Sequence, residues 1–260
     1  MLFERGALQE VILIKSAEEL ALIRQACHIV AQALEALRAA VAPGVSTKEL
    51  EAVAEEHIRR KGATPAFKGY RGYPASICTS VNDQVVHGIP AEGVRLKEGD
   101  IVSIDLGACY RGYYGDAAVT LPVGRISPQA QRLLRVTQEA LELALQEATE
   151  GRRVGDISWA IQSHVEKEGF SVVRAFVGHG VGRYLHEEPQ VPNFGPPGRG
   201  PRLRAGMTLA IEPMVNAGHW GVRILQDGWT AVTADGTLSA HFEHTVLIRK
   251  DGPEVLTKLQ

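Results

Sequence analysis

The alternation of apolar and polar residues predicts two amphipathic helices in the first quarter of the chain. The first begins at a capping box formed by Ser16 and Glu19 and ends before the stop signal Pro43-Gly44. The second is capped by Ser46 or Thr47 and ends at the next glycine. The apolar face of the first helix contains Leu20, Ile23, Cys27, Val30, Leu34 and Leu37.

The pattern of the second helix returns later in the chain, after another long helix predicted to begin at Ser127-Pro128. The matching positions are Gly44 and Gly151, Leu50 and Ile157, Val53 and Ala160, His57 and His164, Ile58 and Val165, and Gly62 and Gly169. This repeat predicts two pseudo-symmetric α/β halves, with helices covering one face of a sheet and a site between the halves. Since no linker divides the chain, residues 1–260 are predicted to form a single α+β domain.

Six short apolar segments bounded by turn residues are predicted to be strands. They span residues 101–106, 117–121, 172–177, 208–211, 229–232 and 245–248. We expect them to form one large mixed or antiparallel sheet. Two segments rich in glycine and proline, 63–75 and 193–206, are expected to be surface loops that border a cleft.

The charge balance argues against a nucleic-acid or membrane partner. The chain has 28 basic and 30 acidic residues and a formal net charge of −2, which gives no global field to attract an anionic surface. Cys27, Cys78 and Cys109 form no C-x-x-C pair, which is typical of a reducing compartment. Residues 1–10 do not resemble a targeting signal, and no uninterrupted apolar stretch approaches the roughly 20 residues of a membrane span. We therefore expect a cytoplasmic protein.

Two aspartates accompany the first pair of predicted strands. Asp105 stands at the end of an apolar segment, and Asp116 begins the next one. The glycine-rich stretch 111–115 between them suits a hairpin that would bring the carboxylates together. A buried carboxylate is costly unless something such as a cation offsets its desolvation. For either residue alone, an ordinary strand-end aspartate or an Asx turn is the alternative.

Three further residues in the second half have the chemistry of metal ligands. His179 lies between glycines directly after a predicted strand, and Glu212 and Glu243 adjoin apolar segments. If these carboxylates converge with Asp105 and Asp116, four negative charges share one cleft, and two divalent cations would neutralise them. Carboxylate-rich ligation with one imidazole suits Mn(II), Fe(II), Co(II) or Zn(II), and a pair of such ions indicates hydrolytic chemistry.

The order and flanks of these five residues resemble the type I methionine aminopeptidases, in their minimal bacterial form, over nearly the whole chain. The resemblance implies the pita-bread fold, a curved and mainly antiparallel sheet covered by helices. It also implies hydrolysis of the N-terminal methionine from nascent proteins and peptides whose second residue is small, by a water or hydroxide bridging two divalent metal ions. Asp105 corresponds to a ligand of one ion, Asp116 and Glu243 to bridging ligands, and His179 and Glu212 to ligands of the other.

The same resemblance assigns the residues that act on the substrate. His87 corresponds to a histidine near the scissile amide, and His186 to one that contacts substrate and stabilises the transition state. Together with Glu212 these are the predicted catalytic residues. The methionine side chain is expected in a pocket formed by Tyr70, Tyr73, Cys78 and Trp229.

The chain departs from the family pattern in this pocket. Phe67 and Leu185 stand where some bacterial members have Cys and Phe, and Arg71 stands where a histidine is often found. These differences concern the pocket and leave the ligand set intact. As partners we expect N-terminal Met peptides and nascent chains near the ribosome exit, with the protein acting as a monomer and binding neither DNA nor a membrane.

Three other functions are alternatives. A prolidase or another metalloaminopeptidase of this fold would use similar ligands, but prolidases resemble chains with an additional N-terminal domain. A creatinase-like hydrolase works without metal and lacks this ligand set. A non-catalytic binding module, such as a histone- or RNA-binding relative, should have lost ligands and gained charge patches. Of the remaining histidines, His57 and His164 are interpreted as packed and hydrogen-bonded in the core, His241 and His244 as neighbours of the ligands, and His28 and His219 have no partner pattern.

Overall fold

The computed structural model describes residues 11–259. The expectation about a targeting signal in residues 1–10 lies outside them. The described helices are α1 (Ala17–Ala40), α2 (Thr47–Arg60), α3 (Pro128–Glu147) and α4 (Val154–Lys167), with one 3₁₀ turn at Tyr70–Gly72. The strands are β1 (Thr64–Pro65), β2 (Cys78–Val81), β3 (Gln84–Val86), β4 (Ile101–Tyr110), β5 (Tyr113–Pro122), β6 (Ser171–Val172), β7 (Gly178–Gly180), β8 (Glu187–Val191), β9 (Thr208–Ile211), β10 (Met214–Asn216), β11 (Val222–Ile224), β12 (Ala231–Thr233), β13 (Ser239–His241), β14 (Glu243–Leu247) and β15 (Glu254–Val255).

Local capping fixes where the helices begin. The backbone N–H of Glu19 donates to Ser16 Oγ at 3.3 Å, and the N–H of Ser16 donates to Glu19 Oε2 at 2.8 Å, which completes the predicted capping box. Ser46, and not Thr47, caps α2 in the same way. Ser127 caps α3, with proline at its first position as predicted. These starts require only contacts within four residues.

The two halves of the chain are built alike, as the repeat predicted. Gly44 lies at φ 91° and its N–H donates to the carbonyl of Leu96 at 2.7 Å. Gly151 lies at φ 92° and its N–H donates to the carbonyl of Leu203 at 3.0 Å. Each glycine therefore joins a long helix to a shorter one through the same left-handed turn, which residues with a Cβ rarely adopt.

Three sheets replace the single sheet that was expected. The largest has nine strands, with the order β1-β4-β5-β14-β9-β7-β8, β15 beside β14 and β2 beside β4. All of its pairings are antiparallel. The order in the smaller sheets is β13-β10-β6 and β11-β12-β3. The chain leaves the large sheet at Pro213, which has no N–H to donate to a ladder, and passes into β10.

The central hairpin is longer than the sequence predicted. Strands β4 and β5 are joined by Arg111 and Gly112, both at positive φ, so the predicted turn 111–115 contracts to two residues. Two other strand predictions were wrong in extent. The segment 172–177 is a strand only in β6, and the segment 229–232 begins as a strand only at Ala231.

The helices cover one face of the large sheet, and the other face is free of helices. Helix α1 packs against β4 and β5, and α3 packs against α4 and the strands of the second half. A Cβ on Gly115 would lie 2.6 Å from the backbone nitrogen of Cys27, so α1 lies directly on β5 there. Because side chains alternate along a strand, the neighbouring Asp116 points away from α1. The curved, mainly antiparallel α+β fold is confirmed.

Helix α1 is long and apolar enough to span a membrane by length and composition alone. Half of the relevant window is buried inside the protein, and nine of its residues belong to the core. This burial is typical of a core helix.

The prediction that two segments are surface loops bordering a cleft is confirmed in part. Segment 63–75 borders the cleft but buries Phe67 and Tyr73. Segment 193–206 packs beside α4 and does not line the cleft.

Candidate metal centre and substrate cleft

A cavity of about 280 Å³ opens on the face of the large sheet that the helices leave free. Its polar lining consists mainly of carboxylates and imidazoles, and its apolar lining of aromatic side chains. Every predicted site residue lines it: Tyr70, Tyr73, Cys78, His87, Asp105, Asp116, His179, His186, Glu212, Trp229 and Glu243. Tyr70 and Glu243, 173 positions apart in the sequence, thus meet in one cleft.

The central hairpin places the two aspartates side by side. Asp105 lies opposite Ala118, and Asp116 lies opposite Gly107, so the aspartates are diagonal neighbours on one face of the sheet. Both lie inside long strands and neither stands at a strand end. The alternative of a strand-end aspartate and an Asx turn was therefore wrong for this pair.

The other donors come from the neighbouring strands. Glu243 begins β14 beside β5, Glu212 directly follows β9, and His179 is the middle residue of β7. Donor atoms of Asp116, His179 and Glu243 all lie within 4.8 Å of one another. Nε2 of His179 is 3.4 Å from Glu212 Oε1 and 3.9 Å from Asp116 Oδ2. The pairing of β14, β9 and β7 in the large sheet thus brings these donors together.

The electrostatics of this group fit divalent cations. Burial raises the pKa of Asp105 to about 7. Burial, and then repulsion from neighbouring carboxylates, holds the pKa values of Asp116, Glu212 and Glu243 well above their usual range. Asp105 Oδ1, Asp116 Oδ1 and Glu243 Oε1 are buried without a hydrogen-bond partner. Since buried polar atoms are normally paired, these oxygens are suited to a positive ligand.

His179 presents a neutral nitrogen to the carboxylates. Its Nδ1–H donates to the carbonyl of Gly180 at 2.9 Å, so Nε2 carries the lone pair that faces Glu212 and Asp116. Burial lowers the pKa of this imidazole to about 4. The ring is therefore neutral at physiological pH and oriented as metal-ligating histidines commonly are.

Two more histidines stand at the edge of the donor group. The ring of His186 lies 4.1 Å from that of His179, and its Nδ1 is 2.9 Å from the hydroxyl of Tyr70. His87 has a backbone φ of 61° and contacts the ring of Phe176 edge-on at 5.3 Å. Burial lowers the pKa of His87 to about 4 and that of His186 well below its usual value. Both rings are neutral hydrogen-bonding groups.

Hydrogen bonds and ring contacts hold the side chains at the aromatic end of the cleft. The hydroxyl of Tyr73 donates to the carbonyls of Ile77 and Gly88, at 3.1 and 2.9 Å. Its ring meets Trp229 edge-on at 5.1 Å. Burial raises the pKa of the Cys78 thiol well above its usual value, so Cys78 acts as a small apolar wall and not as a nucleophile. Phe67 and Leu185 pack into the same apolar cluster.

Sequence reasoning undervalued His241 and missed Phe176, and both line the cleft. His241 is 1% exposed, neither of its ring nitrogens has a partner, and Nε2 is 4.0 Å from Glu212 Oε2. Its spacing of two residues from Glu243 was an available signal. His244 instead bonds Thr257 Oγ1 at 2.9 Å on the other side.

The two helix histidines differ from each other. His164 Nε2 lies 3.1 Å from Glu139 Oε2, as expected of a hydrogen-bonded residue. The expectation was wrong for His57, because its Nε2 is buried without a partner. His57 lies in the last turn of α2, where its side chain is half-buried.

Comparisons with known proteins agree with this geometry. The model of Metallopeptidase family M24 matches residues 21–250. Methionine aminopeptidase of Clostridium perfringens is 54% identical over 250 residues, which cover 96% of this chain and 100% of that protein. Methionine aminopeptidase 1 of Bacillus subtilis is 55% identical over 249 residues, with coverage of 96% and 100%. The crystal structure of methionine aminopeptidase from Thermotoga maritima has a TM-score of 0.95 and 51% identity, and covers 96% of this chain and 100% of that one.

The fold and the buried donor set define a metallopeptidase, and the chain belongs to metallopeptidase family M24. Within that family, the relatives that match it end to end are methionine aminopeptidases. The predicted resemblance and the enzyme class, a metallo-exopeptidase, are confirmed. A prolidase from Pyrococcus furiosus shares the fold with a TM-score of 0.76 and 26% identity, but this chain covers only 66% of it. The prolidase alternative is not favoured.

Proposed function

We propose that the single domain formed by this chain removes N-terminal methionine with two divalent metal ions held by Asp105, Asp116, His179, Glu212 and Glu243. The observation that carries the proposal is the convergence of four carboxylates, two buried and two half-buried, on one neutral imidazole; three of these carboxylates have a buried oxygen without a hydrogen-bond partner. Four carboxylates balance the charge of two divalent ions. Mn(II), Fe(II), Co(II) and Zn(II) all suit such a donor set.

The position of each donor supports a distinct role. Asp116 and Glu243, in the middle of the group, would each hold both ions. Asp105, on the side of β4, is proposed to hold one ion, and His179 and Glu212, on β7 and after β9, to hold the other. When bound, such ions lower the pKa of water and polarise a scissile carbonyl.

The surrounding residues then bind and orient the substrate. We assign the Tyr70 hydroxyl as the donor to His186 Nδ1, and in that tautomer His186 would present an Nε2–H donor to the negative charge that develops on the carbonyl oxygen. His87 lines the same cavity and would lie near the amide to be cleaved, and Glu212 would accept and return a proton. Both histidines remain neutral because burial lowers their pKa values.

The apolar end of the cleft supports methionine as the first residue. The residues that line this end of the cleft pack into one apolar cluster: Phe67, Tyr70, Tyr73, Cys78, Leu185 and Trp229. An unbranched thioether fits such a slot better than a β-branched side chain. The proposed partners are Met-initiated peptides and nascent chains near the ribosome exit. The protein is proposed to act on them as a monomer in the cytoplasm.

Metal content and activity measured together test this function. Protein freed of metal with a chelator should regain hydrolysis of Met-Gly-Met-Met as Mn(II) or Co(II) is added, with saturation at two ions per chain. Release of free methionine is followed by mass spectrometry. Full activity in metal-free protein would overturn the proposal, and saturation at one ion would remove its dinuclear part.

Substrate choice gives a second prediction. A pocket that selects by shape discriminates by about 1–3 kcal/mol for each methylene added or removed. Norleucine, which is unbranched like methionine, should therefore be accepted, while Ile and Val at the first position should be cleaved poorly. Peptides beginning Met-Gly, Met-Ala and Met-Ser should be cleaved fast, and Met-Leu, Met-Lys and Met-Glu slowly, because a bulky second residue crowds the cleft beside His87. The panels Met-x-Met-Met and Xaa-Gly-Met-Met measure both positions. Equal rates for Leu-, Ala- and Met-initiated peptides would leave only a general metalloaminopeptidase.

Metal binding should depend on pH with a definite sign. Folding raises the pKa of Asp105 from about 4 to about 7. Between these two pH values the folded protein binds more protons than the unfolded chain, so the stability of the metal-free protein falls as the pH rises. The metal-free protein should therefore unfold at lower temperature at pH 8 than at pH 6. Added Mn(II) should raise the unfolding temperature more at pH 8, and its binding should release protons, which calorimetry in two buffers detects. An equal effect of metal at both pH values would contradict the raised pKa values.

A further inference from the structure

A buried ion pair ties the segment before α1 to the cleft. Lys15 Nζ lies 2.7 Å from Glu187 Oε2, and the two side chains are 4% and 1% exposed. The partners are 172 positions apart in the sequence. The proposed metal and substrate chemistry uses neither of them. A buried pair is weak evidence for stability, but its geometry is tightly held, because either charge left alone would be costly.

The segment around residues 182–187 is folded about this pair. Glu187 Oε1 accepts from the backbone N–H of Tyr184 at 3.0 Å, while Oε2 accepts from Lys15. A Cβ on Gly182 would lie 2.6 Å from Lys15 Cε and 3.1 Å from Glu187 Oε1, so the absence of a side chain there admits the lysine. Both ends of the pair are therefore anchored.

Lys15 is itself fixed from two sides. Its backbone N–H donates to the carbonyl of Gly206 at 3.0 Å, and Nζ also donates to the carbonyl of Leu13 at 3.3 Å. Gly206 directly precedes Met207 and β9, the strand that leads to Glu212. The lysine thus connects the start of α1, the approach to β9 and the His186 segment.

Glu187 is bonded directly to His186, the residue proposed to stabilise the transition state. Glu187 pairs with Gly180 across the ladder of β7 and β8, one residue from His179. Glu187 is the first residue of β8 and His186 directly precedes it, so a fixed Glu187 also fixes the planar peptide that joins it to His186. We propose that Lys15 is a positioning residue that acts through Glu187 to hold His186 over the metal centre. This inference rests on the proposed function.

Lys15→Met keeps most of the aliphatic stem and removes the charge. We expect kcat on Met-Gly-Met-Met to fall by about tenfold or more, since small displacements of a catalytic group are costly, with KM within twofold and metal stoichiometry unchanged. Arg24→Met is the matched control, because it breaks an ion pair of α1 with Glu254 away from the cleft. It should keep wild-type kcat.

The double variant Lys15→Met/Glu187→Gln separates positioning from simple stability. It removes the unpaired charge but keeps an acceptor for the Tyr184 N–H, so the unfolding temperature should return toward that of the wild type while kcat stays low. Recovery of kcat together with stability would overturn the proposal, as would a kcat within twofold of wild type in Lys15→Met. If Lys15→Met fails to fold, the double variant alone decides.

Imidazole ¹⁵N spectra of the metal-free protein give a readout that does not involve turnover. The signal lost in His186→Gln identifies His186, and it should shift in the double variant but not in Arg24→Met. An unshifted signal contradicts positioning. The wild type, assayed in parallel, reports separately on the proposed function. If it cleaves another N-terminal residue in preference to methionine, kcat is compared on that peptide and the positioning role is still decided.

Discussion

Replacing Asp116 by asparagine is expected to lower turnover of Met-Gly-Met-Met by on the order of 10³-fold and to weaken binding of Mn(II) or Co(II) in parallel. Asp116 stands diagonally beside Asp105 and belongs to the compact group with His179 and Glu243. Asparagine keeps the shape of the side chain but removes one charge and replaces one of the two oxygens proposed to hold metal. Metal titration followed by calorimetry, together with steady-state kinetics, measures both effects.

Asp251→Asn serves as the control for this variant. Asp251 is an exposed carboxylate paired with Arg249 at 2.7 Å and does not line the cleft, so its loss should leave metal binding and turnover unchanged. An Asp116→Asn protein with wild-type turnover would rule out the bridging role. Loss of turnover with both ions still tightly bound would assign Asp116 to the chemistry and not to ligation.

The second large effect is expected from His186→Ala, which should reduce kcat by on the order of 10²-fold or more while two ions remain bound. The ring of His186 lies against that of His179, but its Nδ1 is engaged by the hydroxyl of Tyr70. A side chain that stabilises developing charge without holding metal affects turnover and spares stoichiometry. Kinetics and metal analysis of the same preparation make the comparison.

Two further variants test the role proposed for His186. Tyr70→Phe removes the hydroxyl that orients the ring and should give a smaller loss of kcat than His186→Ala. His28→Ala is the control. It removes an exposed histidine of α1 whose ring is hydrogen-bonded to Gln32, and it should leave kcat unchanged. If His186→Ala loses metal, the residue belongs to the ligand shell and the proposed role is wrong.

Much of the secondary structure was predictable because it depends on neighbours in the sequence. The capping boxes of α1 and α2 close within four residues, and the left-handed turns at Gly44 and Gly151 follow from glycine itself. The central hairpin followed from a glycine-rich turn between two apolar runs. The five proposed ligands were found through their order and flanking motifs, which the resemblance to a known family made specific.

The limits of sequence reasoning were at the edges of the strands and in the division into sheets. Segment 172–177 is apolar enough for a strand, yet the chain forms one only over Ser171–Val172 before it turns toward the cleft. The apolar pattern cannot show this, because a run that lines a cavity and a run that joins a ladder have the same composition.

The sequence by itself thus determined the helices, the internal repeat, the hairpin and the identity of the chemical groups, since each depends on local bonding or residue type. Only the tertiary structure decided which groups meet. It brought His241 beside Glu212, buried the carboxylates enough to raise their pKa values, and joined Lys15 to Glu187 across 172 positions. The physical reason is that strand register and burial are properties of the packed sheet, and both set distances and electrostatics that no local stretch of chain contains.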